Sequence, residues 1–594
     1  MIDYPFDGEE ILRNSKKIRK KLINDGSSRI HKKIAVLGGS TTHDIIRITE
    51  LFLLDQGIEP EFYESEYSQY WQDVMFDNPE LISFKPDIIF IHTSNRNILE
   101  YPAISDSDKE IAEKEERVLR HFYDMWEKIY KTYHCPIIQN NFELPYFRLL
   151  GNMDASDIHG RVRYIRELNK KFADYTADHE NFYINDIDYM SSCFGLDKWS
   201  DPAFWHMYKY CMCFSAIPEF AYNLSNIIKS IFGKNKKAIV LDLDNTLWGG
   251  IVGDDGAENI EVGQETALGQ TFLEFQNYIR LQKDIGVLLN IDSKNDMENA
   301  LAGLNRPDGA LKPDDFMVIK ANWDPKSINL SLIAKELNIG EDSLVFVDDN
   351  PVERDIIEQQ VPLAAVPKMT TPEQYLKIID RAGYFEITKL SEDDKNRNEM
   401  YKANIKRAQE QRSFADYSEF LRSLDMKAQI KAFAPMYYAR IAQLTNKSNQ
   451  FNLTTKRYTQ SDIEKLADDD NCITLYGKLT DKYGDNGVVS VVAANIKGIE
   501  LHINLMLMSC RVLKRDMEYA MMNELVTVAK KHCIEQMIGY YYKTAKNAMV
   551  KDFYALHGFT KVKEDGEDSV WALNVKDYVF KEHAIAVNID DADE

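Results

Sequence analysis

The stretch AIVLDLDNTLWGG, residues 238–250, decides the fold of the middle of the chain. Four apolar residues are followed by Asp242 and Asp244, and Thr246 and two glycines come directly behind them. A short apolar run bounded by turn formers is typical of a buried strand. Because side chains alternate along a strand, Asp242 and Asp244 point to the same side. The stretch therefore predicts a buried strand that ends in two carboxylates.

Similar apolar runs follow this strand, and helical patterns lie between them. They are IGVLLNIDS (285–293), FMVIKAN (316–322), SLVFVDDN (343–350) and LAAVPK (363–368). Strands that alternate with helices form a parallel sheet that is covered on both faces. We therefore expect an α/β domain at 234–385, with its site beyond the carboxyl ends of the strands.

Polar residues stand at two more of these strand ends. Ser293 and Asn295 follow one strand, and Asp348 and Asp349 follow another. The sequence thus predicts that hydroxyl, amide and carboxylate groups meet at one edge of the sheet.

Lys326 is expected at the same edge. It comes after Asp324 and Pro325, an N-cap and first-turn pair that predicts a helix beginning near Lys326. Crowded carboxylates need a cation, and Mg²⁺ suits their hard oxygen ligands. The carboxylates that we expect to bind it are those of Asp242, Asp244, Asp348 and Asp349. Ser293 and Lys326 are then available to hold phosphate oxygens.

Two further regions flank this one. Residues 1–233 contain the strand patterns KKIAVLGGSTTHDI (32–45), FKPDIIFIHTSN (84–95) and CPIIQNNFELP (135–145), separated by helical patterns, which predicts a second parallel sheet. Residues 386–594 begin with a charged helical segment and continue with longer strands, which predicts an antiparallel-rich α+β domain.

Composition excludes several functions. A formal net charge of -23 argues against general affinity for nucleic acid. No apolar run reaches the ~18 to 20 residues that span a bilayer, and residues 1–22 have no apolar core of a signal peptide, so we expect a cytoplasmic protein that does not bind membranes. Seven cysteines without CxxC pairs indicate reduced thiols.

The middle region resembles the haloacid dehalogenase (HAD) superfamily of phosphotransferases, whose first motif is DxDx[TV]. The resemblance implies that Asp242 is the nucleophile that takes the phosphoryl group and that Asp244 is the general acid and then base. Ser293 matches the second motif, Lys326 the third, and Asp349 with Asp348 the fourth. Thr246 and Asn295 are assigned to substrate binding. Only 48 residues separate Asp244 from Ser293, which implies a minimal cap.

The whole chain resembles the FkbH-like family (HAD subfamily IIIC). Blocks that carry this resemblance are LDLDNTLWGGIVGDDG, SKND, LNIGEDSLVFVDDNPVER, NQFNLTTKRYT, LMSCRVLKR and TAKNAMVKDFYALHGF. The resemblance implies transfer of a glyceryl group from 1,3-bisphosphoglycerate, with loss of phosphate, to the thiol of an acyl carrier protein. Members often read Cys-Ser where this chain has Asp292-Ser293, so transfer through a local thioester is in question.

The last region resembles GNAT acyltransferases. Asn547, Tyr554 and HGF (557–559) match the part of that fold where a tyrosine stands near the leaving thiol. The loop that in GNAT enzymes carries two glycines for a pyrophosphate reads here RVLKRD (511–516), without either glycine. Arg511 and Tyr554 are assigned to substrate binding. Arg511, Lys514 and Arg515 form a basic cluster where an acidic carrier protein could dock. Acyl transfer by this domain and a solvated loop on a degenerate fold are the alternatives.

The first region resembles SGNH hydrolases. Ser40 follows a strand, as that fold's nucleophile does, and Asn95 matches an asparagine that helps to hold an oxyanion. His206 follows Asp201 by five positions, which departs from the family's DxxH spacing, and His43 and His92 are alternatives. A serine after a strand is also a common helix cap.

The sequence therefore predicts a three-domain α/β protein: an SGNH-like parallel-sheet domain at 1–233, a HAD Rossmann-like domain at 234–385 and a GNAT-like α+β domain at 386–594. The leading function is Mg²⁺-dependent, FkbH-like glyceryl loading of a carrier protein. The alternatives are a phosphatase that acts on a small phosphorylated metabolite and a non-catalytic scaffold that binds a carrier protein.

Overall fold

The computed structural model describes residues 2–544 and 546–588. The chain forms two compact units. The N-terminal unit contains Phe6–Ile231, and the C-terminal unit runs from Phe232 onward and includes Asp3–Pro5.

The N-terminal unit is built on a five-stranded parallel sheet in the order β2-β1-β3-β4-β5. Its strands are β1 (Ile30–Gly38), β2 (Ile58–Glu64), β3 (Ile88–His92), β4 (Ile137–Asn140) and β5 (Phe182–Asn185). Its helices are α1 (Gly8–Ile23), α2 (His43–Asp55), α3 (Tyr70–Met75), α4 (Pro79–Phe84), α5 (Asp108–Tyr133), α6 (Arg161–Asp178), α7 (Ile187–Phe194), α8 (Leu196–Trp199), α9 (Pro202–Tyr208) and α10 (Ile217–Ile231).

The chain reverses its direction across this sheet between β1 and β3, so a switch point lies between their carboxyl ends. The parallel sheet that the sequence predicts is confirmed. Strands β2 and β5 are absent from the sequence prediction because β2 lies at an edge with a polar sequence and β5 has only four residues.

The first sheet of the C-terminal unit is parallel and has the order β8-β7-β6-β9. Its strands are β6 (Ala238–Leu241), β7 (Leu288–Ser293), β8 (Val318–Ala321) and β9 (Leu344–Val347). Its helices are α11 (Val252–Asp255), α12 (Ala267–Asp284), α13 (Met297–Leu304), α14 (Lys326–Glu336), α15 (Pro351–Gln360) and α16 (Pro372–Arg381).

The strand that LAAVPK predicts does not form. Ala365 makes only an isolated bridge with Val345, because the segment is short and Pro362 and Pro367 enclose it. The parallel order of the other four strands is confirmed.

The second sheet of the C-terminal unit is nine-stranded and mostly antiparallel, as the sequence predicts. Its strands are β10 (Met426–Lys431), β11 (Phe451–Asn452), β12 (Cys472–Asp481), β13 (Gly484–Lys497), β14 (Glu500–Met508), β15 (Gln536–Tyr541), β16 (Thr560–Asp565), β17 (Asp568–Asn574) and β18 (Ile585–Val587). The helices are α17 (Glu392–Lys395), α18 (Arg397–Gln411), α19 (Tyr417–Ser423), α20 (Tyr438–Lys447), α21 (Gln460–Asp468), α22 (Met517–Lys531) and α23 (Phe553–Leu556).

None of the helices in the described parts of the chain has the length and apolar character that crossing a membrane requires.

Candidate active site

Three carboxylates meet at the carboxyl edge of the four-stranded sheet. Asp242 follows β6, and Asp348 and Asp349 follow the neighbouring strand β9. One oxygen of each carboxylate lies within 4.8 Å of the others. The hydrogen bond from Asp242 N to Val347 O, 2.9 Å, continues the pairing of the two strands and keeps their ends side by side.

Lys326 is the cation among these carboxylates. It begins α14, as the sequence predicts, although Pro325 and not Asp324 occupies the N-cap position. Its Nζ lies 2.9 Å from Asp242 Oδ1 and 2.6 Å from Asp348 Oδ2. Burial acts to lower the pKa of Lys326, but the charges of Asp242 and Asp348 outweigh burial and raise it. The lysine therefore stays charged.

The cluster has an excess of negative charge. Burial, followed by the charge of Asp242, raises the pKa of Asp348 to about 6 and raises that of Asp349 as well. Three carboxylates thus face one ammonium in this cluster, and a divalent cation would balance the excess of carboxylates. The ligand atoms are all oxygens, and oxygen ligands are those that Mg²⁺ prefers. Asp242, Asp348 and Asp349 thus fit a Mg²⁺ ion.

Asp244 is the predicted metal ligand that the structure does not place in this group. Its Oδ1 accepts hydrogen bonds from Trp248 Nε1 (2.9 Å) and Val252 N (3.0 Å), and its Oδ2 accepts one from Asn295 Nδ2 (2.9 Å). These donors hold the carboxylate toward the following loop. Burial raises the pKa of Asp244, and the donors from Val252 and Trp248 oppose that rise. This environment suits an acid and base better than a ligand.

The three polar residues predicted to contact substrate lie at the site and are buried. Thr246 Oγ1 accepts a hydrogen bond from Asp349 N (3.2 Å), and Asn295 holds Asp244. In this structure Thr246 and Asn295 position the acidic residues. Ser293 is the last residue of β7, at the same edge of the sheet.

Several residues at the site were absent from the sequence prediction. Arg354 Nη1 donates to the carbonyl oxygens of Asp348 and Asp349, both at 2.7 Å, and so fixes the loop after β9. Trp248 holds Asp244 as described above. Both residues belong to the motif blocks already quoted, DNTLW and DNPVER, so their proximity in sequence to the aspartates was the available signal.

Asp292 lies beneath the site and is completely buried. Its Oδ1 accepts a hydrogen bond from Asn329 Nδ2 at 3.0 Å. Burial raises the pKa of Asp292 to about 8, and the hydrogen bond from Asn329 opposes that rise. The residue that replaces the family's cysteine is therefore an inward-facing structural group.

The basic cluster predicted in the last region does not form a docking surface. Arg511 and Arg515 are buried, and only Lys514 is exposed. Arg511 Nη2 pairs with Asp393 Oδ2 at 3.0 Å, and Arg515 Nη1 pairs with Asp481 Oδ2 at 3.1 Å. Both arginines thus serve internal ion pairs, which the sequence does not reveal because their partners are more than 30 residues away.

Tyr554 is also placed differently from the prediction. It is completely buried in the core, packed on Phe559 and Trp571, and burial raises its pKa. A tyrosine in this position does not contact a substrate. Its assignment to substrate binding is therefore wrong for this structure.

The quoted block NQFNLTT fills a gap in the same sheet. The parallel strands β14 and β15 pair only from Glu500–Ile503 to Gln536–Gly539. Beyond that point β11 pairs with β14, Leu453 N donates to Met506 O (3.1 Å), and Tyr542 N donates to Leu453 O (2.9 Å). Asn547 Nδ2 donates to Asn452 O at 2.9 Å. The separated strands are thus bridged by the chain's own backbone.

The N-terminal switch point carries polar residues but no nucleophile–histidine–acid arrangement among the residues that the structure describes. Asn95 Nδ2 donates to the carbonyl of Glu143 at 3.2 Å, and Asp201 caps α9 through Ala203 N and Phe204 N. His43 and His206 are exposed. The roles suggested for Asn95 and Asp201 are therefore wrong.

Ser40 is buried, and its Oγ has no hydrogen-bond partner among the residues that the structure describes. His92 belongs to a buried network of neutral groups. His92 Nδ1 lies 2.9 Å from Asn140 Nδ2, and His92 Nε2 lies 3.4 Å from Cys211 Sγ. Asn140 Nδ2 also donates to Thr93 O, so the amide donates to Nδ1 and the imidazole proton is on Nε2. Burial lowers the pKa of His92 to about 3 and raises that of the Cys211 thiol to about 12. The network is neutral and holds the strand ends together.

Comparison with solved structures defines the class of the middle region. The N-terminal part of BF1531 from Bacteroides fragilis, described as containing a phosphatase domain complexed with Mg, is 28% identical to this chain. It matches with a TM-score of 0.59, over 65% of this chain and 100% of that one. The chain is thus similar in fold to a protein that contains a phosphatase domain, and its carboxylate cluster is of the kind that a HAD-like domain would need.

The N-terminal unit shows a more specific similarity, to a protein family. Residues 33–229 match the family model described as FkbH, N-terminal domain. This match confirms the predicted resemblance to the FkbH-like family over residues 33–229. No curated protein sequence matches the chain significantly.

Two acetyltransferases match the last quarter of the chain more weakly. They are the ribosomal-protein-S18-alanine N-acetyltransferase of Escherichia coli, 10% identical over 25% of this chain and 94% of that one, and the PaiA N-acetyltransferase of Thermoplasma acidophilum in complex with coenzyme A, 14% identical over 25% and 99%. Their TM-scores of 0.20 and 0.19 support no argument about the activity of this region.

Proposed function

We propose that the protein is a Mg²⁺-dependent phosphatase that forms an aspartyl phosphate on Asp242. The observation that carries this proposal is the cluster of Asp242, Asp348 and Asp349 around Lys326. The phosphatase domain of BF1531, which was crystallised with Mg, supports it. When bound by the three aspartates, Mg²⁺ would neutralise their charge and that of the phosphate.

The residues of the chain divide the reaction between them. A carboxylate oxygen of Asp242 attacks phosphorus, and the bond from phosphorus to the leaving oxygen breaks. Asp244 donates a proton to that oxygen and then takes one from the water that releases phosphate from Asp242. Lys326, which is held charged, stabilises negative charge on the phosphoryl oxygens. Trp248 and Asn295 orient Asp244 for these transfers.

A second candidate is the loading of a carrier protein. The resemblance to the FkbH-like family implies 1,3-bisphosphoglycerate as donor and an acyl carrier protein as acceptor, and the match of residues 33–229 to the FkbH N-terminal domain supports that resemblance. Residues 214–471 contain no cysteine, so the acyl carbon would be attacked directly by the carrier's thiol. That attack forms a 3-phosphoglyceryl thioester and breaks the carbon–oxygen bond to the C1 phosphate, which leaves with the thiol proton. Hydrolysis of the remaining C3 phosphate ester by water, through the aspartyl phosphate on Asp242, then leaves the glyceryl thioester and a second phosphate.

One experiment separates these functions. The full chain is incubated with Mg²⁺ and 1,3-bisphosphoglycerate, with and without a holo acyl carrier protein, while phosphate release and the intact mass of the carrier are measured. Phosphate release that requires no carrier supports the phosphatase, and a glyceryl mass on the carrier supports loading. Carrier binding without either product would favour the scaffold and overturn both proposals. Asp242→Asn should abolish phosphate release, and Asp254→Asn, the same change at an exposed residue of α11, is its matched control.

A further inference from the structure

Beyond the carboxyl ends of β3 and β4, the N-terminal unit exposes a group of large apolar side chains. In the loop before α6, Tyr146, Phe147, Leu149 and Met153 are 50%, 43%, 68% and 60% exposed. Met207, at the end of α9, is 63% exposed. Single exposed apolar residues are ordinary, but a group on adjoining loops marks an interaction surface.

Cations stand among these apolar residues. Arg161 lies over the rings of Tyr101 (4.5 Å) and Phe147 (5.1 Å), and Arg96 lies over Trp205 (4.3 Å). Aromatic rings that hold a guanidinium fix its position without neutralising its charge.

Two further cations extend the same surface. Lys209 lies 5.5 Å from the ring of Trp205, and Arg148 donates to the amide oxygen of Asn152 at 3.1 Å. Within the described chain, no carboxylate forms an ion pair with Arg96, Arg148, Arg161 or Lys209. We call residues 146–153 and 207–209, with Arg96 and Arg161, the basic apolar patch.

The carboxylates of the loop between β4 and α6 do not neutralise the patch. Glu143 and Asp154 are each 1% exposed, and Asp157 is bound by His159 Nδ1 at 2.8 Å. Two of the three acidic groups of the loop are thus buried and the third is paired with a histidine, whereas Arg148 is exposed. This is unexpected in a chain whose net charge is -23.

We propose that the basic apolar patch docks an acidic protein that exposes apolar side chains. Complementary charge steers such a partner to the patch, and the apolar side chains retain it. An anionic membrane fits less well, because a wide bilayer would also face the acidic remainder of the surface. A small acidic protein faces only the patch within the ~8 to 10 Å over which charges act at physiological salt. The proposal goes beyond the phosphatase chemistry and does not depend on it.

The test measures binding of a small acidic protein, holo acyl carrier protein, to the full chain and to three variants. Arg148→Glu should raise the Kd about tenfold at low salt and much less at ~0.5 M salt, because screening removes the charge effect. Leu149→Ser should raise the Kd several-fold at both salt concentrations. Lys17→Glu, the same charge change at an exposed position on α1, should leave the Kd unchanged. Circular dichroism checks that each variant is folded.

Each other outcome overturns the proposal. Absence of carrier binding, or equal effects of Arg148→Glu and Lys17→Glu, would exclude specific docking at the patch. Binding to vesicles of anionic phospholipid that Arg148→Glu abolishes would assign the patch to a membrane instead. A dimer that Arg148→Glu dissociates, detected by sedimentation, would assign it to a second copy of this chain. Phosphate release should be the same in all three variants, so failure here is distinct from failure of the proposed phosphatase.

Discussion

Two parallel sheets in this protein end in polar side chains, and the two groups of side chains differ in charge. At the N-terminal sheet, His92, Asn140 and Cys211 satisfy one another and carry no net charge. At the four-stranded sheet, Asp242 and its neighbouring aspartates exceed the single Lys326 in charge. A balanced polar group stabilises the fold, whereas an unbalanced one requires a ligand.

The largest effect is expected at the carboxyl end of the four-stranded sheet, where the carboxylates outnumber the lysine. Asp242→Asn should lower the rate of phosphate release by about three orders of magnitude or more, because an amide is a poor nucleophile. The measurement is phosphate release from a small phosphate ester, with Asp254→Asn as the control. Substantial phosphate release by a folded Asp242→Asn variant would show that the acidic cluster is not the catalytic site.

Removal of the metal should reduce phosphate release at the four-stranded sheet by a similarly large factor and leave the N-terminal sheet unaffected. EDTA is expected to abolish phosphate release, and added Mg²⁺ to restore it, because Asp242, Asp348 and Asp349 otherwise repel a phosphate. Mg²⁺ should also raise the melting temperature of wild type more than that of Asp349→Asn. Full activity after exhaustive chelation would contradict the metal site.

The buried ion pairs of the last region extend the comparison. Arg511→Met should destabilise the protein by about 1 to 3 kcal/mol, because it removes one of the two arginines that pair with the partly buried Asp393, while Arg440 remains. Lys514→Met, at the exposed neighbour, should change stability by less than ~0.5 kcal/mol. Thermal denaturation of the two variants gives the comparison, and equal melting temperatures would contradict the structural role of Arg511.

A pH effect is expected from Asp292, whose pKa burial raises to about 8. A carboxyl with a raised pKa in the folded state stabilises the fold when protonated, and this contribution is lost as the pH rises from about 4 to about 8. Metal-free Asp292→Asn should therefore be more stable than wild type at pH 8, by about 1 to 3 kcal/mol, and similar at pH 4.

Melting temperatures in EDTA between pH 4 and pH 8 test this expectation. Asp348, whose pKa is raised to about 6, remains in both proteins and adds the same loss of stability between about pH 4 and 6. A wild-type and an Asp292→Asn curve of equal slope above pH 6 would show that Asp292 is ionised throughout.

The smallest effect is expected at the carboxyl end of the N-terminal sheet, where the polar groups are neutral. Ser40→Ala should change the free energy of unfolding by less than ~1 kcal/mol and leave phosphate release unchanged, since the buried Ser40 Oγ makes no hydrogen bond to the described residues. Hydrolysis of p-nitrophenyl acetate is the sharper readout. If wild type hydrolysed this ester and Ser40→Ala did not, the N-terminal switch point would be a second active site.

The sequence by itself determined the parallel sheets and the members of the acidic cluster. Alternation of apolar strands with helices depends on local periodicity, which is present in the sequence. Asp242, Ser293, Lys326 and Asp349 could be predicted because parallel strands end at one edge, so residues distant in sequence meet there.

Only the tertiary structure decided what each polar group contacts. Asp244 accepts hydrogen bonds from Trp248 and Val252. Arg511 forms an ion pair with Asp393, and His92 is hydrogen-bonded to Asn140. These partners are selected by packing between elements, and a side chain's burial and charge balance depend on all of its neighbours at once. The sequence shows which groups are available, and the folded chain determines which of them remain unsatisfied and can bind a ligand.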